Sequence, residues 1–343
     1  MTAQAQNVLY VLSDGAYLSR DHDTVVVKVD GERRAQVPIC QIEGVAVLAR
    51  AGVSPELLGG LVDAGVFVSF FGYGGRLLAR VDGIPGGNVL LRKAQVRASD
   101  NAAATLALAR SFVIGKVASE RGQVRRASRD GNGESAEVFG AAADRLAIFS
   151  RRALEADNLD ELRGIEGGAA REYFQVFDRL LKTDEADLRF NGRSRRPPAD
   201  PINAMLSFGY ALLMRDCAAA LAGVGLDPAI GFLHEDRPGR LGLALDVMEE
   251  LRAPVVDRLV IALVNRRQIG AAHFRKFEGA RWEMTHDGRR SFIAAYQAAK
   301  SDQIKHIFLE QNASWGLVPH LQARLLARTL RGDIIAYPPF QLK

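Results

Sequence analysis

The chain has little cysteine: Cys40 and Cys217 are its only two among 343 residues, and they form no Cys-x-x-Cys pair. This argues against a disulfide framework and against a zinc site built from thiols. The first residues lack a basic region followed by an apolar run, so no signal peptide is predicted. Apolar stretches such as 259–264 are too short to span a bilayer. We therefore expect a cytoplasmic protein with no membrane partner.

Charge of one sign is not strongly in excess. Lys and Arg number 45 against 40 Asp and Glu, which gives a net charge of +5 and an isoelectric point near 9.3. Such a balance permits nucleic acid as a partner without proving it, so the clustering of basic residues matters more than their total. The length suffices for two domains with a sizeable core.

The first part of the chain, residues 1–85, is rich in short β-branched and aromatic runs separated by turn dipeptides such as Asp30-Gly31. One helix is predicted among these strands, with Ser54 as its cap and Pro55 at its first position. The predicted strands are Val8–Leu12, Thr24–Val29, Gly44–Val47 and Val66–Phe71.

Beyond a Gly- and Pro-rich stretch at 82–88, the pattern changes to helical periodicity. We predict a linker over 86–98 and an α-helical domain over 99–343, with short strands within 273–285. At Pro254 we expect a break or kink, after which helix resumes through Asn265. The fold class is thus α+β multidomain, a small β-rich N-terminal domain followed by a larger all-α C-terminal domain. The predicted helices are Ser99–Arg129, Ser135–Ala156, Leu159–Leu181, Asp200–Ala222, Leu241–Arg252, Gly288–Lys300 and Leu317–Leu330.

Three segments of the second half offer ligands for a hard cation. Glu166 lies in GIEGGAAREYF, His234 in GFLHEDRPGR, and Asp246 and Glu249 in LALDVMEELR. One imidazole with carboxylates suits Mg²⁺ or Mn²⁺ better than a thiol-selecting metal. A basic protein that holds such a metal is a candidate for phosphodiester chemistry.

Each of these residues also has an ordinary structural interpretation. Glu166 could be a solvated glutamate beside glycines that pack against a neighbouring helix, and His234 could be bonded to a backbone carbonyl. Asp246 and Glu249, three residues apart, share one helix face that could be an ordinary acidic surface. The neighbouring Glu250 is expected to be solvated, and spacing alone does not select Glu249 over it.

Basic residues cluster in two places suited to phosphate oxygens. The first cluster is a Gly- and Ser-containing segment with no acid, and the second follows His234. Charge of this kind can equally be a soluble surface. The six candidate DNA-binding arginines are Arg189, Arg193, Arg195 and Arg196 in the first cluster, and Arg237 and Arg240 in the second.

Together, GIEGGAAREYF at 164–174, DPINAMLSFGYALL at 200–213 and the long segment GFLHEDRPGRLGLALDVMEELRAPVVDRLV at 231–260 are recognisable. The chain resembles the universal CRISPR-associated adaptation integrase/endonuclease family, which inserts new spacers into CRISPR arrays. The resemblance covers nearly all 343 residues and is greatest to the version found in subtype I-C arrays.

The resemblance implies a Mg²⁺ or Mn²⁺ site with Glu166, His234 and Glu249 as ligands and Asp246 as a further active-site acid. It also implies DNA as substrate, a homodimer, and a small ferredoxin-like CRISPR-associated adaptation protein whose dimer bridges two integrase dimers. We expect the contacts of the homodimer to come largely from the β-rich domain. Two alternatives stay open: a non-catalytic DNA-binding scaffold, and a general branched-DNA repair nuclease.

Overall fold

The chain divides into two compact units, Met1–Gly87 and Asn88–Lys343. The computed structural model describes residues 7–72, 77–81, 89–194, 197–277 and 281–342.

The first unit is built from two four-stranded sheets and one helix, α1 (Pro55–Asp63). One sheet has the order β1-β5-β7-β8, with its first three strands parallel and β8 antiparallel. The other has the order β4-β3-β2-β6. The strands are β1 (Val8–Val11), β2 (Tyr17–Asp21), β3 (Thr24–Val29), β4 (Glu32–Pro38), β5 (Gly44–Val47), β6 (Gly52–Val53), β7 (Phe67–Phe71) and β8 (Leu77–Val81).

The local sequence explains these elements. Asp30 and Gly31 both have positive φ, 51° and 81°, as a tight hairpin turn requires, and they join β3 to β4. The Ser54 hydroxyl accepts a hydrogen bond from the Leu57 N–H at 3.2 Å, so the predicted cap of α1 is confirmed. The β-rich character of the N-terminal region is likewise confirmed.

The second unit is mostly helical, as predicted. It also contains two β-hairpins. The first, β9 (Phe274–Phe277) with β10 (Arg281–Met284), lies where strands were predicted, and the second, β11 (Gln303–His306) with β12 (Gln311–Ser314), was not predicted. The helices are α2 (Val89–Ser99), α3 (Ala102–Asp130), α4 (Glu134–Glu155), α5 (Leu159–Gln175), α6 (Pro201–Gly223), α7 (Gly242–Glu249), α8 (Arg258–Asn265), α9 (His286–Lys300) and α10 (Val318–Arg331).

The start of this unit differs from the predicted linker. Residues 89–98 belong to α2, and residues 86–88 lie outside the described part of the chain. Ser99 ends α2 instead of capping α3. The cap of α3 is Asn101, whose side-chain oxygen accepts the Ala104 N–H at 2.9 Å.

Two helices, α3 and α6, are long and apolar enough to cross a membrane by length and composition alone. In α6, however, 83% of the apolar window is buried inside the protein, and in α3 half of it is. Both helices therefore have the apolar content of core helices, around which the unit packs.

Pro254 lies where a break or kink was predicted, and the α-helix is interrupted there: α7 ends at Glu249, and helix resumes in α8 to Asn265 as predicted. Residues Arg252–Asp257 form a π-helical turn that leads directly into α8. Proline has no N–H to donate within a helix, and the wider turn accommodates this local disruption. The turn places Arg252 and Asp257 on the inner side of the unit, where Asp257 is buried.

Glu250 was expected to be solvated, and this was wrong: its side chain is completely buried. One carboxylate oxygen accepts hydrogen bonds from the Tyr337 hydroxyl and, at 3.0 Å, from the Gln322 amide. The other accepts the Phe340 N–H at 2.6 Å. Glu250 therefore fastens residues 332–342, the C-terminal segment as far as the structure describes it, to the end of α7; no helix or strand is present in these residues.

Replacing Glu250 is consequently predicted to destabilise the fold. Glu250→Ala leaves two buried donors, the Tyr337 hydroxyl and the Phe340 N–H, without the carboxylate that accepts from them, and should lower the free energy of unfolding by about 2–4 kcal/mol. The measurement is urea unfolding at pH 7, with Glu155→Ala at the exposed end of α4 as the control. An equal, small change in both variants would contradict the role of Glu250.

The same residue predicts a pH dependence. Burial raises the pKa of Glu250 to about 7, although the bonds from Tyr337, Phe340 and Gln322 oppose the rise. Because the folded pKa is raised, the stabilising contribution is complete below pH 4.5 and is lost as pH rises through 7. The melting temperature of the wild type should therefore fall between pH 5 and pH 8 by more than that of Glu250→Gln, which cannot ionise at this position. If the melting temperatures of the wild type and Glu250→Gln change with pH in the same way, this prediction is contradicted.

Candidate active site

Charged side chains from three helices meet inside the second unit. Lys116 of α3 places its ammonium between the carboxylates of Glu166 on α5 and Glu249 on α7. The Lys116 Nζ contacts Glu166 Oε1 and lies 2.8 Å from Glu249 Oε2. Two of the predicted ligands are therefore brought to one point, and a cation of the protein itself stands between them.

His234 joins this group from the segment between α6 and α7. Its Nε2 lies 3.8 Å from Glu249 Oε1, and its side chain is 19% exposed. The three predicted ligands, Glu166, His234 and Glu249, thus converge although they are separated by up to 83 positions in the sequence.

Asp246 reaches the site through His234. Its Oδ1 accepts the His234 N–H at 3.0 Å and lies 2.7 Å from the imidazole Nδ1. Its Oδ2 accepts the N–H groups of Phe232 and Leu233 at 2.6 and 3.0 Å. A carboxylate surrounded by donors acts as the acceptor here, so we assign the imidazole proton to Nδ1 and the free lone pair to Nε2. Both oxygens of Asp246 are therefore engaged by the His234 segment, and the carboxylate orients the imidazole.

Glu249 is held ionised by its surroundings. Burial alone would raise its pKa, but Arg252, Lys116 and His234 outweigh burial and lower the pKa to about 2. The Arg252 Nη2 lies 2.9 Å from Glu249 Oε1, while Lys116 faces Oε2. Each oxygen of Glu249 thus has its own basic neighbour.

Arg252 is itself fixed by aromatic and acidic residues behind the site. Its guanidinium lies 4.8 Å from the centre of the Tyr210 ring. The hydroxyls of Tyr210 and Tyr173 bond to Asp257 at 2.5 and 3.0 Å. Burial raises the pKa of Asp257 to about 6, against the opposing effect of the two tyrosine bonds. The π-helical turn thereby links the Glu249 partner to the buried tyrosine pair.

Lys116 was missed in the sequence because it stands in an Ala- and Leu-rich helix with no recognisable motif. Burial by itself lowers the pKa of Lys116, but Glu249, Glu166 and Glu120 outweigh burial and hold that pKa above its usual value. Lysine is almost never fully buried unless it is paired. The available signal in the sequence was a single lysine within the apolar run FVIGKVA, and in the structure this residue is only 3% exposed.

A cavity opens beside Glu166 and His234. Its basic lining comes from Arg163, Arg237 and Arg240. Arg163 lies one turn before Glu166 on α5 and donates from Nε and Nη2 to the Leu233 carbonyl at 3.0 and 2.9 Å. It therefore ties the His234 segment to the helix that carries Glu166.

The first cluster of arginines has a different setting. Arg193 donates to Asn203 Oδ1 at 2.7 Å and lies over the Tyr210 ring, so its side chain is engaged within the protein. Arg189 is half exposed and lies 3.7 Å from Asp178. Arg195 and Arg196 lie outside the described residues. DNA contact by these four residues stays a prediction.

Two carboxylates and one imidazole lone pair are donors of the kind that Mg²⁺ or Mn²⁺ accepts. As arranged in the described residues, no three His, Cys, Asp or Glu side chains are close enough together to hold a metal. The Lys116 ammonium lies between the two carboxylates, where it provides positive charge.

The way in which Asp246 holds the His234 segment leads to a testable prediction. In Asp246→Asn the amide NH₂ faces backbone donors, so we expect a loss of about 2–4 kcal/mol in unfolding free energy. Because the amide has one acceptor oxygen and no negative charge, it favours the Nδ1-protonated imidazole less, and the ¹⁵N–¹H imidazole spectrum of His234 should shift toward the Nε2-protonated form. Asp236→Asn, an exposed acid two residues from His234, is the control. An unchanged imidazole spectrum in Asp246→Asn would show that Asp246 does not set the tautomer of His234.

The sequence of the chain matches a known family and known relatives. The family described as "CRISPR associated protein Cas1" matches residues 9–298. The chain is 45% identical to a CRISPR-associated endonuclease Cas1 of Rhodospirillum rubrum, over 97% of this chain and 98% of that one. It is 44% identical to another from Chlorobaculum tepidum, over 97% and 98%.

A solved structure of a CAS1 protein from Thermotoga maritima superimposes with a TM-score of 0.83 at 26% identity, covering 95% of this chain and 97% of that chain. The family match, the full-length identity to two relatives and the shared fold lead to one conclusion. The chain belongs to the CRISPR-associated Cas1 family.

Proposed function

We propose that this chain is a metal-dependent DNA integrase and endonuclease of CRISPR adaptation, which joins the 3′-hydroxyl ends of captured DNA fragments to the array by transesterification. The observation that carries the proposal is that Lys116 contacts both Glu166 and Glu249, while the His234 imidazole lies 3.8 Å from the other oxygen of Glu249. Membership of the Cas1 family supports it.

Glu166, His234 and Glu249 would hold one Mg²⁺ or Mn²⁺. When bound, such a cation polarises the phosphodiester and stabilises negative charge at the phosphorus and on the leaving oxygen. The protein sets the geometry of the ligands beforehand. Asp246 holds the imidazole from behind, and Arg252 holds one oxygen of Glu249.

The basic cavity beside the ligands would orient DNA. Arg237 is largely exposed and Arg240 lines the same cavity, so both can meet phosphate oxygens without reading base sequence. Arg189, Arg195 and Arg196 would make further contacts with the DNA backbone. Arg193 instead donates a hydrogen bond within the protein and would hold its own segment in place. A 3′-hydroxyl placed here would attack a phosphorus atom of the array strand. The new ester bond forms as the bond from that phosphorus to the array strand's own 3′-oxygen breaks, which releases a 3′-hydroxyl; water in place of the attacking hydroxyl would give hydrolysis.

The proposed setting is a homodimer in the cytoplasm, with DNA as substrate and contacts made largely by the β-rich unit. A small ferredoxin-like adaptation protein would bridge two such dimers, and the arrays served would be of subtype I-C. These assignments rest on the family resemblance of the whole chain. Co-purification with the candidate small protein tests the bridging.

Two other functions have to be distinguished from integration. A DNA-binding scaffold would bind fragments without joining them, and a branched-DNA repair nuclease would cut without a requirement for array sequence. The buried charges of Lys116, Glu166 and Glu249 form a group of possible metal ligands around one cation, and a protein that only binds DNA does not need such a group. Strand transfer to a plasmid with and without the repeat separates all three.

The ligands generate a prediction for that assay. Glu166→Gln, His234→Ala and Glu249→Gln should each lower Mn²⁺-dependent strand transfer by at least about 100-fold, because charge stabilisation in the transition state is lost. Fragment binding should change little. Asp236→Asn should retain activity, since this exposed acid is not a proposed ligand. Full activity in any of the three ligand variants would overturn the assignment of that residue.

Salt dependence tests the role of the cavity. The double change Arg237→Gln with Arg240→Gln removes two phosphate contacts and should reduce the slope of log K against log[salt] by about 1.8. The loss of affinity should be similar for repeat and unrelated DNA. Arg266→Gln with Arg267→Gln removes the same charge at the exposed end of α8 and should leave the slope nearly unchanged. A loss confined to repeat DNA would instead indicate base recognition.

A further inference from the structure

Lys116 is set apart from the other basic residues of the site by its place between two proposed ligands. Its side chain is 4% exposed, and its Nζ faces Glu166 Oε1 and Glu249 Oε2 at once. Arg252, by contrast, approaches the other oxygen of Glu249, at 2.9 Å from Oε1. Arg252 can therefore stay in place when a metal binds Oε2, whereas Lys116 cannot.

The conflict between Lys116 and a metal is both steric and electrostatic. A hard divalent cation needs its oxygen ligands at about 2.0–2.6 Å. An ammonium in contact with the same two oxygens occupies that position, and its positive charge repels the incoming ion. Metal binding at Glu166 and Glu249 thus requires the ammonium to move.

A second acid is available to receive the displaced ammonium. Glu120 lies four residues after Lys116 on α3, the spacing at which side chains of one helix face are neighbours. Its side chain is buried, with the residue 4% exposed, and among the described residues its Oε2 has no hydrogen-bond partner. A buried carboxylate oxygen without a donor is costly, so a donor arriving there is favoured.

We propose that Lys116 is an internal cation that occupies the metal position in the metal-free protein and moves to Glu120 when a divalent cation binds. Lys116 holds the two carboxylates together before the metal arrives, and Glu120 compensates for its displacement. The inference rests on the proposed metal-binding function and assigns roles to two residues outside the ligand set.

Calorimetric titration of the full chain with MnCl₂ tests this exchange. Lys116→Met removes the competitor and should tighten Mn²⁺ binding about tenfold or more, while lowering the melting temperature in EDTA, because the two carboxylates then repel each other. Glu120→Gln removes the acceptor and should weaken Mn²⁺ binding several-fold. In the double variant the effect of Glu120→Gln should disappear, since no ammonium remains to be received.

A matched control exists elsewhere in the same unit. Lys300 is also buried and forms an ion pair with Asp216 at 2.9 Å. Lys300→Met should lower stability without changing the Mn²⁺ dissociation constant. If Lys116→Met does not fold, Glu120→Gln still decides the question: unchanged or tighter Mn²⁺ binding would overturn the exchange.

Two failures remain distinguishable. Weaker Mn²⁺ binding in Lys116→Met, or a Glu120→Gln effect that persists in the double variant, would overturn the exchange alone. Failure of the wild type to bind Mn²⁺, or binding that survives His234→Ala and Glu249→Gln, would overturn the metal site itself. Tighter binding in Lys116→Met and weaker binding in Glu120→Gln together support both proposals.

Discussion

The second unit depends on how charge is neutralised where α3, α5 and α7 meet. Glu166 and Glu249 come from two of these helices, and only the Lys116 ammonium from the third lies between them. Buried ion pairs add little net stability, because desolvation offsets most of the attraction. Removing one member is far more damaging, because the remaining charge is left unpaired. The cluster therefore specifies how the three helices approach one another more than it strengthens the fold.

Behind the ligands, a second set of residues restricts how they can move. Asp246 accepts three backbone N–H groups and faces the imidazole of His234, and Arg163 ties the same segment to α5. Arg252 is held against Glu249 by the ring of Tyr210. Such support sets the orientation of metal ligands and raises their affinity. The proposed ligands are in this way positioned by groups that need not touch metal or DNA.

Periodicity and turn chemistry predicted the parts of this structure that depend on local sequence. The strand Thr24–Val29, the Ser54 cap and the order of β-rich and helical regions followed from β-branched runs, a capping hydroxyl and Ala/Leu spacing. Strands β2 and β4 were missed because their charged, exposed residues hide the alternation. The π-helical form of the interruption at Pro254 also could not be predicted, because packing against neighbouring helices decides how a helix accommodates a proline.

The site was predictable as a set of residue types but not as a geometry. Family resemblance selected Glu249, whereas the sequence around it made Glu250 look equivalent and solvated. Lys116 had no motif, and its role depends on Glu166 and Glu249, which lie 50 and 133 positions away. Contacts at such separations are created only when helices pack. Local patterns contain no information about which buried charges will meet.

The pair Glu249 and Glu250 shows how the site is joined to the rest of the unit. Adjacent helical residues point about 100° apart, so one glutamate faces Lys116 while the other faces the C-terminal segment at Tyr337 and Phe340. On α3 the adjacent residues Gly115 and Lys116 also face different parts of the unit: Gly115 faces the C-terminal segment, and Lys116 faces Glu249. A Cβ at Gly115 would lie 2.8 Å from Pro339 Cβ and 3.0 Å from Glu250 Cβ, so only glycine permits this approach. Docking of the C-terminal segment thus fixes the rotation of both helices, and with it the separation of Lys116 and Glu249.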